Sequence, residues 1–137
     1  MEQRAAIGGQ TRVLVADDDA DVCALLEAAL EPFSVTTVHD AESALALVAS
    51  EPLYDVIVSD FRLPGIDGVE FVRRVRNDAH SSTVPIVMIT GHGEECVGAS
   101  AREAGVNAFL DKPFTLAQLR ATITALLAPR SIQLRSV

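Results

Sequence analysis

The sequence predicts an α/β domain, a five-stranded parallel sheet with helices on both faces. Three observations predict it. Short β-branched apolar runs alternate with helical stripes five times along the chain. The runs are almost continuously apolar, as strands covered on both faces are. Strands separated by helices must run parallel, joined by right-handed crossovers. A length of 137 residues suits one domain with a real core.

The first strand is RVLVA, residues 12–16. Val22, Leu25, Leu26, Ala29 and Leu30 follow at helical spacing across 20–31, and Pro32 stops that helix. SVTTV, 34–38, is the second strand. Asp40 caps a helix carrying Ala44, Leu45 and Val48, which ends before Pro52. DVIVS, 55–59, is the third strand, and LPGIDG is a turn centred on Pro64 and Gly65. Asp67 and Glu70 read as a capping box ahead of Val69, Val72 and Val75. VPIVMI, 84–89, is the fourth strand, with Pro85 tolerable near its start. Residues 93–104 make a weak helix, because Gly93 and Gly98 fall within it and its stripe is mostly small residues. Gly105 closes that helix. VNAFL, 106–110, is the fifth strand. Thr115 and Gln118 form a second capping box before Leu116, Leu119, Ile123, Leu126 and Leu127.

Composition narrows the function. With 49% hydrophobic and 22% charged residues the chain reads as globular. No apolar run approaches the ~18 residues of a membrane span. The opening MEQRAAIGGQTR lacks the apolar stretch of a secretory signal. Cys23 and Cys96 form no CxxC and fit the reduced thiols of a cytoplasmic protein. A net charge of −8 argues against direct nucleic acid binding by this chain through phosphate contacts.

In open parallel sheets functional groups gather at the carboxyl ends of the strands. Those ends carry Asp17, Asp18 and Asp19, then Asp60, then Thr90 and Gly91, then Asp111, Lys112 and Pro113. Two carboxylates ~4 Å apart repel by roughly 4 kcal/mol at an effective dielectric near 20. Either their protons stay on or a cation sits among them. Oxygen donors without His or Cys favour Mg²⁺, which leaves room for a phosphoryl group. Lys112 offers a point charge, and Thr90 with a backbone N–H near Gly91 offers hydrogen bonds. This set suits phosphoryl transfer, with Asp60 as nucleophile and an aspartyl phosphate as product.

Taken singly, each residue also has an ordinary explanation. Asp17, Asp18 and Asp19 suit a solvated helix N-terminus. Asp60 suits a loop acid and Thr90 a strand-end hydroxyl. Lys112 stands out as the single lysine among 11 basic residues. His39 and His80 read as surface residues, and Cys23 and Cys96 as small packing residues. Arg73, Arg74 and Arg76 read as a solvated face.

Four motifs in order carry a resemblance: VLVADDDADV, VSDFRLPGIDGVEFV, VPIVMITGHG and AGVNAFLDKPF. Together they resemble the receiver domain of two-component response regulators, over about residues 11–128. Residues 1–10 and 129–137 are then terminal extensions. Thr90 and Lys112 follow Asp60 by 30 and 52 residues, which is family-like. The resemblance implies a flavodoxin-like (βα)5 sheet of order 2-1-3-4-5. It implies Asp60 as phosphoacceptor from a histidine kinase or histidine phosphotransfer protein. It implies direct Mg²⁺ ligation by Asp18, Asp60 and the Arg62 carbonyl, with Asp17 acting through water. Thr90 is then the switch hydroxyl, Phe109 the switch aromatic and Lys112 the phosphate-binding lysine. Arg62 and His92 occupy the positions that tune the lifetime of the phosphoryl group. The Lys112–Pro113 bond is expected to be cis. The pattern departs from the commoner one at Leu63, where Met is more usual, and at Phe109, which lacks a tyrosine hydroxyl.

The expected function is a phosphorylation-dependent signalling switch in a two-component phosphorelay. It is not an enzyme beyond its own phosphorylation and dephosphorylation. Downstream partners are a protein target or output domain, with a homodimer on phosphorylation and no membrane contact. An alternative is the receiver portion of a DNA-binding regulator or a hybrid histidine kinase. A haloacid dehalogenase-type phosphatase would need DxDx[TV] on the first strand, and DDDAD and DADVC both lack its last position. A flavodoxin would need a Ser/Thr/Gly-rich phosphate loop where three aspartates stand. A receiver-like module that has lost phosphorylation would not need the complete set of acids, Thr and Lys. The weak segment 91–105 and Phe109 are expected to move together when Asp60 is phosphorylated, with Phe109 on the strand face opposite Val106, Ala108 and Leu110. Partners would then read the surface of the fourth helix, fifth strand and fifth helix.

Overall fold

A computed structural model of the chain describes residues 10–50, 53–91 and 98–136, with side chains through 127. Strands and helices alternate as β1 (Arg12–Ala16), α1 (Ala20–Ala29), β2 (Ser34–Val38), α2 (Ala41–Ser50), β3 (Val56–Asp60), α3 (Gly68–Asn77), β4 (Ile86–Thr90), α4 (Gly98–Ala104), β5 (Ala108–Asp111) and α5 (Leu116–Ser136). The strands form one sheet of order β2-β1-β3-β4-β5, and every neighbouring pair is parallel.

Strand alternation divides the core into two layers. Val13, Val15, Val56, Val58, Val87 and Ile89 face one side, against Cys23, Leu26 and Leu30 near α1 and Leu119 and Ile123 of α5. Leu14, Ala16, Ile57, Ile86 and Met88 face the other, against residues of α2 and α3 and Ala101 of α4. With both faces covered, the three central strands need no polar alternation, which explains their continuous apolar runs. Burying a large aliphatic or aromatic side chain contributes about 1.5–3 kcal/mol. Phe71, Leu26, Ile57 and Ile123 are each essentially inaccessible to solvent.

Several helix ends behave as the capping chemistry requires. Asp40 Oδ1 accepts from the Ser43 N–H at 2.7 Å. Thr115 and Gln118 close a full capping box, with N–H to side-chain distances of 2.8 and 3.0 Å. The Asp67–Glu70 box is only half made. Asp67 accepts from the Glu70 N–H, but the Glu70 carboxylate turns to Arg73 and Arg74. Ion pairing along the exposed face of α3 takes the place of the reciprocal bond.

Several expectations need correction. Strands β3 and β4 begin and end later than predicted, so Asp60 and Thr90 are the last residues of their strands. Strand β5 starts at Ala108 because Gly105 and Val106 still donate to the Ala101 carbonyl and so close α4. Val106 therefore lies outside the strand alternation, and it packs in the same layer as Phe109 and not opposite it. Residues 129–136, read as part of a terminal extension, lie within α5. Arg76 is not solvated with Arg73 and Arg74. Its guanidinium donates to the carbonyls of Gly105, Ser81 and Ser82 and to Asn107 Oδ1. It thereby joins the end of α3 to the α4–β5 turn. Gly105 sits at φ +120°, and a Cβ there would come 2.6 Å from Arg76 Nε. His92, Gly93, Cys96 and Val97 lie outside the described residues.

Candidate functional site

The carboxyl edge of the sheet brings the predicted residues together. Asp17 follows β1 directly, and its N–H donates to the Val38 carbonyl at 3.1 Å, which fixes it beside β2. Its side chain is buried, and Oδ1 accepts from the Asp19 N–H at 2.9 Å. Oδ2 is also buried and has no hydrogen-bond partner among the described residues. Asp18 is exposed. Asp19 leaves the cluster: its carboxylate caps α1 by accepting from the Asp21 and Val22 N–H groups. The three strand-end acids of β1 therefore divide, two toward a site and one toward a helix.

Asp60 is buried at the end of β3. Its Oδ2 accepts from Lys112 Nζ at 3.2 Å, and its Oδ1 faces the Arg62 N–H at 3.4 Å. Carboxylate oxygens of Asp17, Asp18 and Asp60 all lie within 4.8 Å of one another. Burial pushes the Asp17 carboxyl above its usual range, Asp60 adds to the rise, and the Asp19 N–H and the Lys112 charge oppose it. Cys23 lies beneath this corner, with Sγ 3.4 Å from the Asp17 carbonyl. Burial, reinforced by Asp17, pushes its thiol up to about 11, so it is a packing residue and not a nucleophile.

Lys112 immediately follows the last residue of β5, Asp111, which pairs with Thr90 at the end of β4. Its N–H donates to the Thr90 carbonyl at 2.8 Å, and the Lys112–Pro113 bond is cis. The Glu31–Pro32 bond is cis as well, which nothing in the sequence pattern foretells. Thr90 is buried at the end of β4, and its hydroxyl donates to Asp111 Oδ1 at 3.0 Å. Phe109 is half-buried on the layer shared with α4, and the Arg102 guanidinium lies over its ring, 4.9 Å from the centroid. Arg62 is exposed and Gly91 is half-buried at the rim. His92, predicted as a rate-modulating residue, is outside the described residues.

Gly68 explains how the Asp60 loop returns to the core. A Cβ there would stand 2.8 Å from the Phe61 Cα and 2.9 Å from Met88 Cε. The Gly68 N–H donates to the Phe61 carbonyl at 2.7 Å, which closes the loop around Arg62. Sequence reading did not assign roles to Arg102 or Asp111. Both contacts depend on which residues meet across α4, β4 and β5, and no local pattern encodes that.

A five-stranded α/β sheet with paired acids, a hydroxyl and a lysine at its carboxyl edge defines a phosphoryl-handling class of domain. The chain belongs to the response regulator receiver domain family, which it matches over residues 13–124. It is similar to the probable chemotaxis protein CheY of Rhizobium etli, 28% identical over 88% of this chain and 95% of that protein. It is 40% identical to the transcriptional regulatory protein PrrA of Mycobacterium leprae over 87% of this chain, but that match spans 51% of the regulator. The chain thus covers about half the length of that relative. Among solved structures, the chemotaxis response regulator CheY4 of Vibrio cholerae has a TM-score of 0.81 at 29% identity, covering 86% of this chain and 99% of that one. The receiver domain of a sensor histidine kinase from Pseudomonas aeruginosa, described with magnesium coordinated in its active site cleft, has a TM-score of 0.78 at 28% identity, covering 86% and 98%. These matches set aside the phosphatase and flavodoxin readings. No helix among the described residues is long and apolar enough to cross a membrane.

Proposed function

We propose that this chain is a two-component receiver in which Asp60 takes a phosphoryl group from a phosphohistidine donor. The observation that carries the reading is the placement of Asp60. It is a buried carboxylate at a strand end, held by Lys112 at 3.2 Å and facing two further acids within 4.8 Å. An Asp60 oxygen forms the new O–P bond as the donor's N–P bond breaks, and the leaving imidazole takes up a proton. Lys112 sits where it neutralises charge on the transferred group. Thr90 and the Gly91 N–H are the donors for its remaining oxygens.

Asp17, Asp18, Asp60 and the Arg62 carbonyl would hold Mg²⁺. An all-oxygen donor set fits that ion, and the partnerless buried Oδ2 of Asp17 fits a site for a cation or its water. When bound, Mg²⁺ supplies positive charge that offsets the phosphoryl oxygens. The chain is then a switch and not an enzyme acting on separate substrates. Its partners are a histidine kinase or phosphotransfer protein upstream and a protein target or output domain downstream, in the cytoplasm. Phosphorylation would also favour a homodimer. Partial coverage of PrrA supports a second reading, in which this chain is the receiver part of a DNA-binding regulator.

Labelling with radioactive acetyl phosphate in millimolar Mg²⁺ tests the assignment. Asp60→Asn should lose the label while retaining its circular dichroism spectrum. Undiminished labelling of that variant would move the acceptor to another residue.

A further inference from the structure

We propose that Asp111 is a positioning residue that holds the Thr90 hydroxyl away from Asp60, so that a phosphoryl group must take this donor from a competing carboxylate. The proposal deepens the reading of Asp60 as phosphoacceptor and rests on it. Strand β4 lies between β3, which ends in Asp60, and β5, which ends in Asp111. Thr90 and Asp111 are direct partners in the β4–β5 register. Their side chains therefore stand side by side on one face of the sheet. Thr90 Oγ1 reaches Asp111 Oδ1 at 3.0 Å.

A threonine hydroxyl has one proton to donate. Its χ1 moves between discrete staggered positions. Because β3 and β5 flank β4 on opposite sides, the hydroxyl cannot serve Asp111 and a group on Asp60 at once. In the resting protein the Asp60 oxygens already accept from Lys112 Nζ and the Arg62 N–H, so the Asp111 carboxylate, a strong acceptor, holds the hydroxyl outward. A doubly charged phosphoryl group on Asp60 is the kind of acceptor that can win the proton back. Asp111 thus sets how much is needed to turn the switch. The same face carries Phe109, two residues earlier on β5, under the Arg102 guanidinium. A move of Thr90 is thereby felt next to the aromatic ring.

The test is isothermal titration with beryllofluoride in excess Mg²⁺, a mimic of the phosphoryl group on an aspartate. The proteins are the unmodified chain, Asp111→Ala, Asp111→Asn, Thr90→Ala, the Thr90→Ala/Asp111→Ala double variant and Asp60→Asn. Asp111 is exposed, so its variants should fold. Asp111→Ala should bind about five- to tenfold more tightly, the worth of one ordinary net hydrogen bond. Asp111→Asn, which keeps an uncharged acceptor, should fall between. In the Thr90→Ala background Asp111→Ala should change binding less than about twofold, since the coupling partner is gone. Unchanged affinity of Asp111→Ala in a protein that binds beryllofluoride overturns the proposal alone. An equal gain in the Thr90→Ala background means that Asp111 acts by charge only, and also overturns it. Equal binding by Asp60→Asn, or no binding by the unmodified chain, overturns the phosphoacceptor reading and the proposal with it.

Discussion

Replacing Asp17 with asparagine should stabilise the metal-free protein. Asp17 is buried, one of its oxygens lacks a hydrogen-bond partner among the described residues, and Asp60 lies within 4.8 Å. Two unit charges at 4.8 Å repel by about 3–4 kcal/mol at an effective dielectric near 20. Lys112 offsets part of this, and solvent screens the share due to exposed Asp18. The Asp17→Asn side chain would keep the bond from the Asp19 N–H and shed the charge. A net gain of about 1–2 kcal/mol at pH 7 follows, or a rise in Tm of roughly 3–6 °C for a domain of this size. The pH dependence has a definite sign. Burial raises the Asp17 carboxyl, so above the ordinary carboxylate range the folded protein keeps a proton that the unfolded chain has released. That contribution to stability is present at low pH and is lost as pH rises through the raised value. The variant should lack this decline. Thermal melts from pH 4 to 8, with EDTA or with millimolar Mg²⁺, measure both effects. A single-site ligand at a hundredfold excess over its Kd adds about 2.7 kcal/mol, and the variant should lose most of that gain. A variant that melts lower than the unmodified protein in EDTA at pH 7, yet keeps the full Mg²⁺ shift, would refute the reasoning.

Three further outcomes follow from the packing. Gly68→Ala pushes a methyl group into the Phe61 backbone, which should cost about 1–3 kcal/mol in urea denaturation and slow acetyl phosphate labelling by displacing the Arg62 loop. Arg76→Ala removes donors from three carbonyls and the Asn107 side chain, so a loss of about 2–3 kcal/mol is expected, and Arg76→Lys should not restore it because the planar fork is gone. Amide hydrogen exchange with and without beryllofluoride and Mg²⁺ should change protection across residues 98–112, and a change confined to residues 17–20 and 60–66 would show that α4 and β5 do not carry the signal.

Much of the fold was legible because periodicity is local. The apolar runs at 12–16 and 34–38 coincide with β1 and β2, and the box at Thr115 and Gln118 opens α5 as read. The errors sit at element ends. Val106 looked like strand because it is β-branched and apolar, but its N–H is committed to closing α4. Arg76 looked solvated because its neighbours Arg73 and Arg74 are, yet a helix turns about 100° per residue and directs it inward to the Gly105 turn.

The candidate site divides in the same way. The sequence by itself determined that acids, a hydroxyl and a single lysine stand at the ends of successive strands, because residue type and strand pattern are properties of short segments. It also determined their order along the chain. Only the tertiary structure decided which of three adjacent aspartates goes where: Asp19 to a helix cap, Asp17 to the buried side of the site and Asp18 to its exposed side. It alone decided that the Thr90 hydroxyl meets Asp111 and that Arg102 covers Phe109. Those contacts arise from the pairing of β4 with β5 and the docking of α4 on the sheet. Residues 21 positions apart meet because the whole sheet has formed, and no local spacing records which of two neighbouring strands a side chain will choose.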